Sequence, residues 1–219
     1  MNIEKKINSA LIPTRQVDQE PWWSGRHKSI LEQIKEKAID LVFIGDSLTH
    51  AWEMEGKAVW LQFHSRRRAI NLGFSGDKTE NVLWRIENGE LNGILPKLVV
   101  VLIGTNNQLN TAEEVAVGII AICNKICEKL PDSKILVMGI LPRGQQHSPL
   151  RDKNEKTNHI LSCVNDGQTV FYADIGQEFM CSDGSISNEV MHDFLHLTSK
   201  GYSILANTME ASIRAFLNE

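Results

Sequence analysis

Five short apolar runs punctuate the chain, at residues 41–44, 69–72, 98–103, 135–140 and 169–173, and none of them alternates with polar positions. Runs of this length rich in Val, Ile and Leu suit strands covered on both faces, because neither side of the pleat then meets water. Between them the apolar period lengthens to that of helices. His27 opens one such segment, reaching residue 37, and Asp77 with Glu80 can cap another that runs through Arg85. Thr111 with Glu114 forms a capping-box pattern for a third, which Pro131 ends after Leu130. Pro149 opens a fourth, to Val164. Thr198 opens the last, over 199–217, with apolar residues at Ile204, Leu205, Met209, Ile213, Phe216 and Leu217.

Strands alternating with helices require right-handed crossovers and a parallel sheet. The expected fold is therefore α/β: a three-layer, doubly wound, five-stranded parallel sheet in the flavodoxin-like order 2-1-3-4-5. Residues 1–26 carry Pro13, Pro21, Trp22 and Trp23 without a clear period, which reads as an irregular arm laid over the surface. At 219 residues the chain suits a single domain over 1–219. The irregular stretch 175–197 stands out, since loops of that length in compact domains usually serve function.

Charge and composition then narrow the function classes. With 23 basic and 27 acidic residues the net charge is -4, which gives no electrostatic footprint for nucleic acid or an anionic membrane. The Arg66-Arg67-Arg68 run is the exception, readable as a solvated strand entry or as an anionic-ligand contact. No apolar stretch approaches the roughly 20 residues that span a bilayer. Met1 to Lys6 lead into no apolar segment, so neither a secretory signal nor stable membrane insertion is expected, and the chain reads as cytoplasmic. Four cysteines fit a reducing compartment. Cys123 and Cys127 share a helical face with Val115, Ile119, Ile122, Ile126 and Leu130, while Cys163 and Cys181 are isolated, so no disulfide is expected.

The candidate chemistry lies in four polar blocks: Gly45-Asp46-Ser47-Leu48, Gly73, Gly104-Thr105-Asn106-Asn107 and Asp193-Phe194-Leu195-His196. The first three each follow a strand-like run. Their polar groups should gather at the carboxyl end of one sheet, where open α/β folds bind ligands. Ser47 offers a hydroxyl, or simply a helix N-cap. Gly73 offers a backbone N–H with no side chain in the way, or a turn glycine. Asn106 can aim its amide where negative charge develops, or shape its own turn. Asp193 and His196 are spaced so that one carboxylate accepts from the imidazole Nδ1–H while Nε2 stays free as a base. Taken together they are the inventory of a serine esterase.

On these blocks the chain resembles the GDSL or SGNH-type hydrolases. More narrowly, residues 100–115, 140–153 and 194–202 are similar to the intracellular platelet-activating-factor acetylhydrolase catalytic subunits, and the likeness runs from about Trp22 to the end. The resemblance implies Ser47 as nucleophile, His196 as base, Asp193 as its orienter, and Ser47, Gly73 and Asn106 as the oxyanion hole. It further implies an acyl pocket walled by Leu48, Thr105 and Leu195 that suits acetyl, a small-molecule ester as substrate, no cofactor, no metal and a homodimer. Asn107 departs from the Asp that many members of the broad family carry there.

Other readings remain open on the same residues. A carbohydrate acetylesterase or an acyl-thioesterase would use the same site. His192-Asp193-Phe194-Leu195-His196 differs from a zincin motif only in Asp for Glu, yet Thr198 and Gly201 place the helix start after it. A non-catalytic binding module would be expected to have lost Ser47, Asn106 or His196. The tryptophans at 22, 23, 52, 60 and 84 suit either core packing or a carbohydrate surface, and Arg143 and Gln145 either rim the site or sit in a solvated loop.

Overall fold

All five apolar runs become strands in the computed structural model, which describes residues 7–219; the first six residues of the arm expected over 1–26 lie outside the described residues. The elements follow as α1 (Trp22–Glu36), β1 (Leu41–Gly45), α2 (Ser47–His50), α3 (Lys57–His64), β2 (Ala69–Gly73), α4 (Thr79–Arg85), β3 (Leu98–Leu102), α5 (Ala112–Lys129), β4 (Lys134–Met138), α6 (Pro149–Leu161), β5 (Val170–Ala173) and α7 (Ser199–Leu217). The sheet order is β2-β1-β3-β4-β5 with every pair parallel, as the alternation of elements predicts.

Alternate residues of each strand feed two separate cores, because successive side chains leave opposite faces of a sheet. Val42, Ile44, Ile70, Leu72, Val99, Val101, Ile135 and Val137 join apolar residues of α1, α4, α5 and α6. Leu41, Phe43, Leu98, Val100, Leu136 and Met138 join those of α3 and α7 on the other side. Both β1 and β3 are buried at every position, which is why their sequences show no polar alternation. Each Val, Leu or Ile so buried contributes about 1.5–3 kcal/mol.

Two local expectations are corrected. The helix expected at 27–37 begins five residues earlier, at Trp22, so the irregular arm is shorter than 1–26. Pro21 tolerates that position because a residue at a helix start needs no backbone N–H. Trp23, His27, Ile30 and Ile34 form the buried stripe, and the polar residues between them mask its period. Asp77, expected to cap α4, does not. Lys78 occupies the cap, and the Asp77 carboxylate instead accepts from Arg85 Nε at 2.8 Å and from the Trp23 indole at 2.7 Å, all fully buried. A buried guanidinium needs a counter-charge more than a helix end needs an acceptor. α3 has no counterpart in the periodic reading at all.

Several of the ambiguous residues are structural. Trp23 and Trp52 are buried in the two cores, Arg67 pairs with Glu210 and Glu219, and Arg68 pairs with Asp40. Cys123 is buried and all four cysteines are free. Among the described residues no helix is long and apolar enough to cross a membrane.

Candidate active site

Strand register decides which loops meet. Gly45, the last residue of β1, pairs with Gly73, the last of β2, and with Leu102, the last of β3. The segments that leave these strands therefore start at one level and lie side by side. They carry Ser47, residues 74–77, and Asn106.

Ser47 heads α2, but it is not the cap. Asp46 is, its Oδ1 accepting the Leu48 N–H at 3.0 Å, so the Ser47 hydroxyl has no capping duty. That hydroxyl lies 3.0 Å from His196 Nε2. The other ring nitrogen of His196, Nδ1, lies 2.7 Å from Asp193 Oδ2, while Asp193 Oδ1 accepts the backbone N–H of His196 at 2.7 Å and of Leu195 at 3.1 Å. Partial burial opposes ionisation of Asp193, yet the His196 ring and these N–H donors outweigh it and hold the carboxyl at about 2. An ionised acceptor at Nδ1 fixes the tautomer: Nδ1 carries the proton, and Nε2 presents its lone pair to the Ser47 O–H. His50, one turn after Ser47, is spent elsewhere, on Ser75 Oγ at 2.9 Å.

The loop that delivers Asp193 and His196 is shaped by its ends and by one strained residue. Met191 and Leu197, both buried, form an antiparallel bridge, and Thr198 caps α7 just beyond it. Phe194 between them adopts φ 59, a left-handed conformation uncommon for a bulky residue and frequent at functional turns. Its carbonyl accepts the Gly144 N–H at 2.8 Å. Arg143 reaches from the same loop to the Thr105 carbonyl at 2.9 Å, and Arg151, itself buried, binds the carbonyls of Arg143, Gly144 and Gly184. Arg143 thus tethers the loop after β4 to the loop after β3, and Gly144 tethers it to the loop after β5. Nothing in the periodicity signals the role of Arg151, whose partners are three backbone carbonyls and the Met180 sulfur.

The expected donors for an oxyanion divide. Ser47 N–H, in the first turn of α2, makes no hydrogen bond among the described residues. Asn106 Nδ2 gives one of its two protons to the Asp77 carbonyl at 2.9 Å and keeps the other. Gly73 does not fit its expected role: its N–H already donates to Asn71 Oδ1 at 2.8 Å. Glycine is needed there for packing, since a Cβ would lie 2.2 Å from the His50 backbone nitrogen.

An N–H still available in this loop is that of Gly76. Asp77 N–H bonds the Phe74 carbonyl at 3.2 Å, and Gly76 at φ 78 takes the third position of that turn, the place where a type II turn demands glycine. Its N–H is unbonded among the described residues, and its neighbours touch the site on both sides: Ser75 lines the cavity at Ser47, and Asp77 holds Asn106. A glycine third in Phe74-Ser75-Gly76-Asp77 was the sequence signal for it.

A cavity of about 240 Å³ opens on Ser47, lined by Ala51, Met54, Glu55, Ser75, His192 and His196. None of the expected acyl-pocket residues lines it. Leu48 is packed into the core beside Trp52, and its carbonyl accepts from Tyr202 Oη at 2.7 Å. The Thr105 side chain is buried with its hydroxyl on Arg143, and Leu195 is half-buried. Asn107 is also structural. Its amide donates to the Glu80 carboxylate at 2.9 Å, where an aspartate would set two carboxylates against each other.

Comparison with known proteins agrees with this architecture. The model of the GDSL-like Lipase/Acylhydrolase family matches residues 43–204. The chain is 41% identical over 215 residues to platelet-activating factor acetylhydrolase IB subunit alpha2 of Homo sapiens, covering 97% of this chain and 93% of that protein. It is 38% identical over 218 residues to the human alpha1 subunit, covering 99% and 94%. A crystal structure of a GDSL-like lipase from Bacteroides thetaiotaomicron superposes with a TM-score of 0.67 at 17% identity, over 86% of this chain and 97% of that one, which speaks to the fold alone. Matched along most of its length by the family model and near 40% identical to two acetylhydrolase subunits, the chain belongs to the GDSL-like lipase/acylhydrolase family and is a carboxylic ester hydrolase.

Proposed function

We propose that the protein is a serine esterase acting on short-chain, acetyl-type esters through an acyl-enzyme, with Ser47 as nucleophile, His196 as general base and Asp193 as the group that orients it. The observation carrying this reading is the continuous hydrogen-bonded chain from Asp193 Oδ2 through the His196 ring to Ser47 Oγ. Ser47 Oγ attacks the ester carbonyl carbon while its proton passes to His196 Nε2. The tetrahedral oxyanion is met by the N–H groups of Ser47 and Gly76 and by the second Asn106 amide proton. Collapse expels the alcohol, which takes the proton from His196. Water, deprotonated by the same ring, then releases the acid.

The acetyl preference is supported by the acetylhydrolase subunits that the chain resembles, and no longer by Leu48, Thr105 and Leu195 as pocket walls. A homodimer in a reducing compartment completes the reading. It is supported by that same likeness and by four unpaired cysteines, of which Cys163 and Cys181 are exposed.

A fluorophosphonate probe tests the site directly. It should label Ser47 in the folded protein and abolish hydrolysis of p-nitrophenyl acetate in step with labelling. An unlabelled Ser47 in folded protein would return the chain to the class of non-catalytic binding modules.

A further inference from the structure

The pentapeptide 192–196, which as a sequence suggested a helical metal motif, lies before α7 and folds back on itself instead. That fold gathers His192, Asp193 and His196 so that one ligand atom from each lies within 4.8 Å of the other two. Asp193 Oδ2 is the hub, 2.7 Å from His196 Nδ1 and 3.9 Å from His192 Nε2. The two imidazoles stand nearly parallel, at 21° with centroids 6.0 Å apart. His192 and His196 line the Ser47 cavity, and all three side chains are open to solvent, so an ion reaches them without any opening of the fold.

Two imidazole nitrogens and one carboxylate oxygen, with a fourth position left to water, form a donor set characteristic of zinc. Tetrahedral bonds of about 2.0–2.1 Å place the ligand atoms about 3.3 Å apart. The two measured separations bracket that value, and rotation of the exposed His192 ring closes the longer one.

We infer that zinc binds at His192, Asp193 and His196 and reversibly switches the enzyme off. Binding as such follows from the cluster; the switch rests on the serine-esterase reading above. A neutral imidazole carries one proton and one lone pair. When zinc takes the Nδ1 lone pair of His196, the proton moves to Nε2, and Asp193 turns its oxygen from the ring to the metal. Nε2 can then only donate toward Ser47 Oγ. With no lone pair facing it, the serine hydroxyl has nowhere to send its proton.

The test titrates zinc chloride into the full chain carrying Cys163→Ser and Cys181→Ser, which removes competing exposed thiols. Binding is followed by calorimetry and hydrolysis of p-nitrophenyl acetate in parallel. Zinc should bind and inhibit together, with a chelator restoring the rate. With inhibition in each protein referred to that protein's own zinc-free rate, His192→Ala should weaken both binding and inhibition, by no less than the about 10- to 100-fold that loss of a residue behind a ligand costs. Equal zinc affinity with and without His192 would overturn the site, and tight binding with undiminished hydrolysis would overturn the switch. A protein inactive even without zinc would sink the esterase reading, while calorimetry on the two variants would still decide the site.

Discussion

Ser47 Oγ and His196 Nε2 lie 3.0 Å apart although 149 positions separate them in the chain. Two rigid anchors bring this about. Ser47 is fixed by the end of β1, with Asp46 rather than Ser47 capping α2, and His196 is fixed by the Met191–Leu197 bridge. A hydroxyl released from capping and a ring nitrogen freed by its bonded partner face each other. The first predictions follow from that pair.

Ser47→Ala and His196→Ala should each lower kcat for p-nitrophenyl acetate by about 10⁴-fold or more, since members of such a unit fail together. Neither side chain is part of either core, so thermal midpoints should stay close to the parent. Near-normal turnover in either variant would refute the assignment.

Asn106→Ala removes a donor that acts mainly on the tetrahedral oxyanion. The expected loss is about 10²- to 10³-fold in kcat, with KM changing far less. A rise in KM at constant kcat would move Asn106 to a binding role. The variant also frees the Asp77 carbonyl, so its stability is measured alongside.

Gly73→Ala should be a stability variant. Its new methyl would meet the His50 backbone at 2.2 Å, which cannot rotate away, and overpacking of this kind costs about 1–3 kcal/mol or more. The urea midpoint should drop clearly. An unchanged midpoint with lost turnover would instead restore the oxyanion role to Gly73 and remove it from Gly76.

Asp46 sets a pH dependence of stability. Burial, and next the nearby Asp77, push its carboxyl from 3.8 up to about 7, against the pull of the Leu48 N–H. Below 3.8 the group is protonated in both folded and unfolded chains and pH has no leverage through it. Between those values only the folded chain keeps the proton, so stability falls as pH rises, and above about 7 the loss is complete. Asp46→Asn retains an acceptor for Leu48 N–H and takes no charge. Its unfolding free energy relative to the parent should therefore climb across that window and then level off. A constant difference across the window would show that Asp46 ionises as readily in the fold as outside it.

Much of the fold was legible locally. Strands buried on both faces must be apolar throughout, so the runs at 41–44 and 98–103 announced β1 and β3, and their spacing by helices dictated a parallel sheet. The hydroxyl, imidazole, carboxylate and amide of the site were readable as well, because each stands at a strand end or before a helix, where chemistry is carried.

What the chain alone determined was periodicity and residue type, which depend on near neighbours. What only the tertiary structure decided was which partner each polar group takes. Asn71, two residues away, claims the Gly73 N–H, and the donor role passes to Gly76; Arg85 and Trp23 claim Asp77, and a cap becomes a buried counter-charge; the core claims Leu48, and an expected pocket wall disappears. The reason is physical. A hydrogen-bonding group satisfies itself with the nearest available partner in space, and in a parallel sheet many such partners come from segments that the crossovers have carried far along the chain.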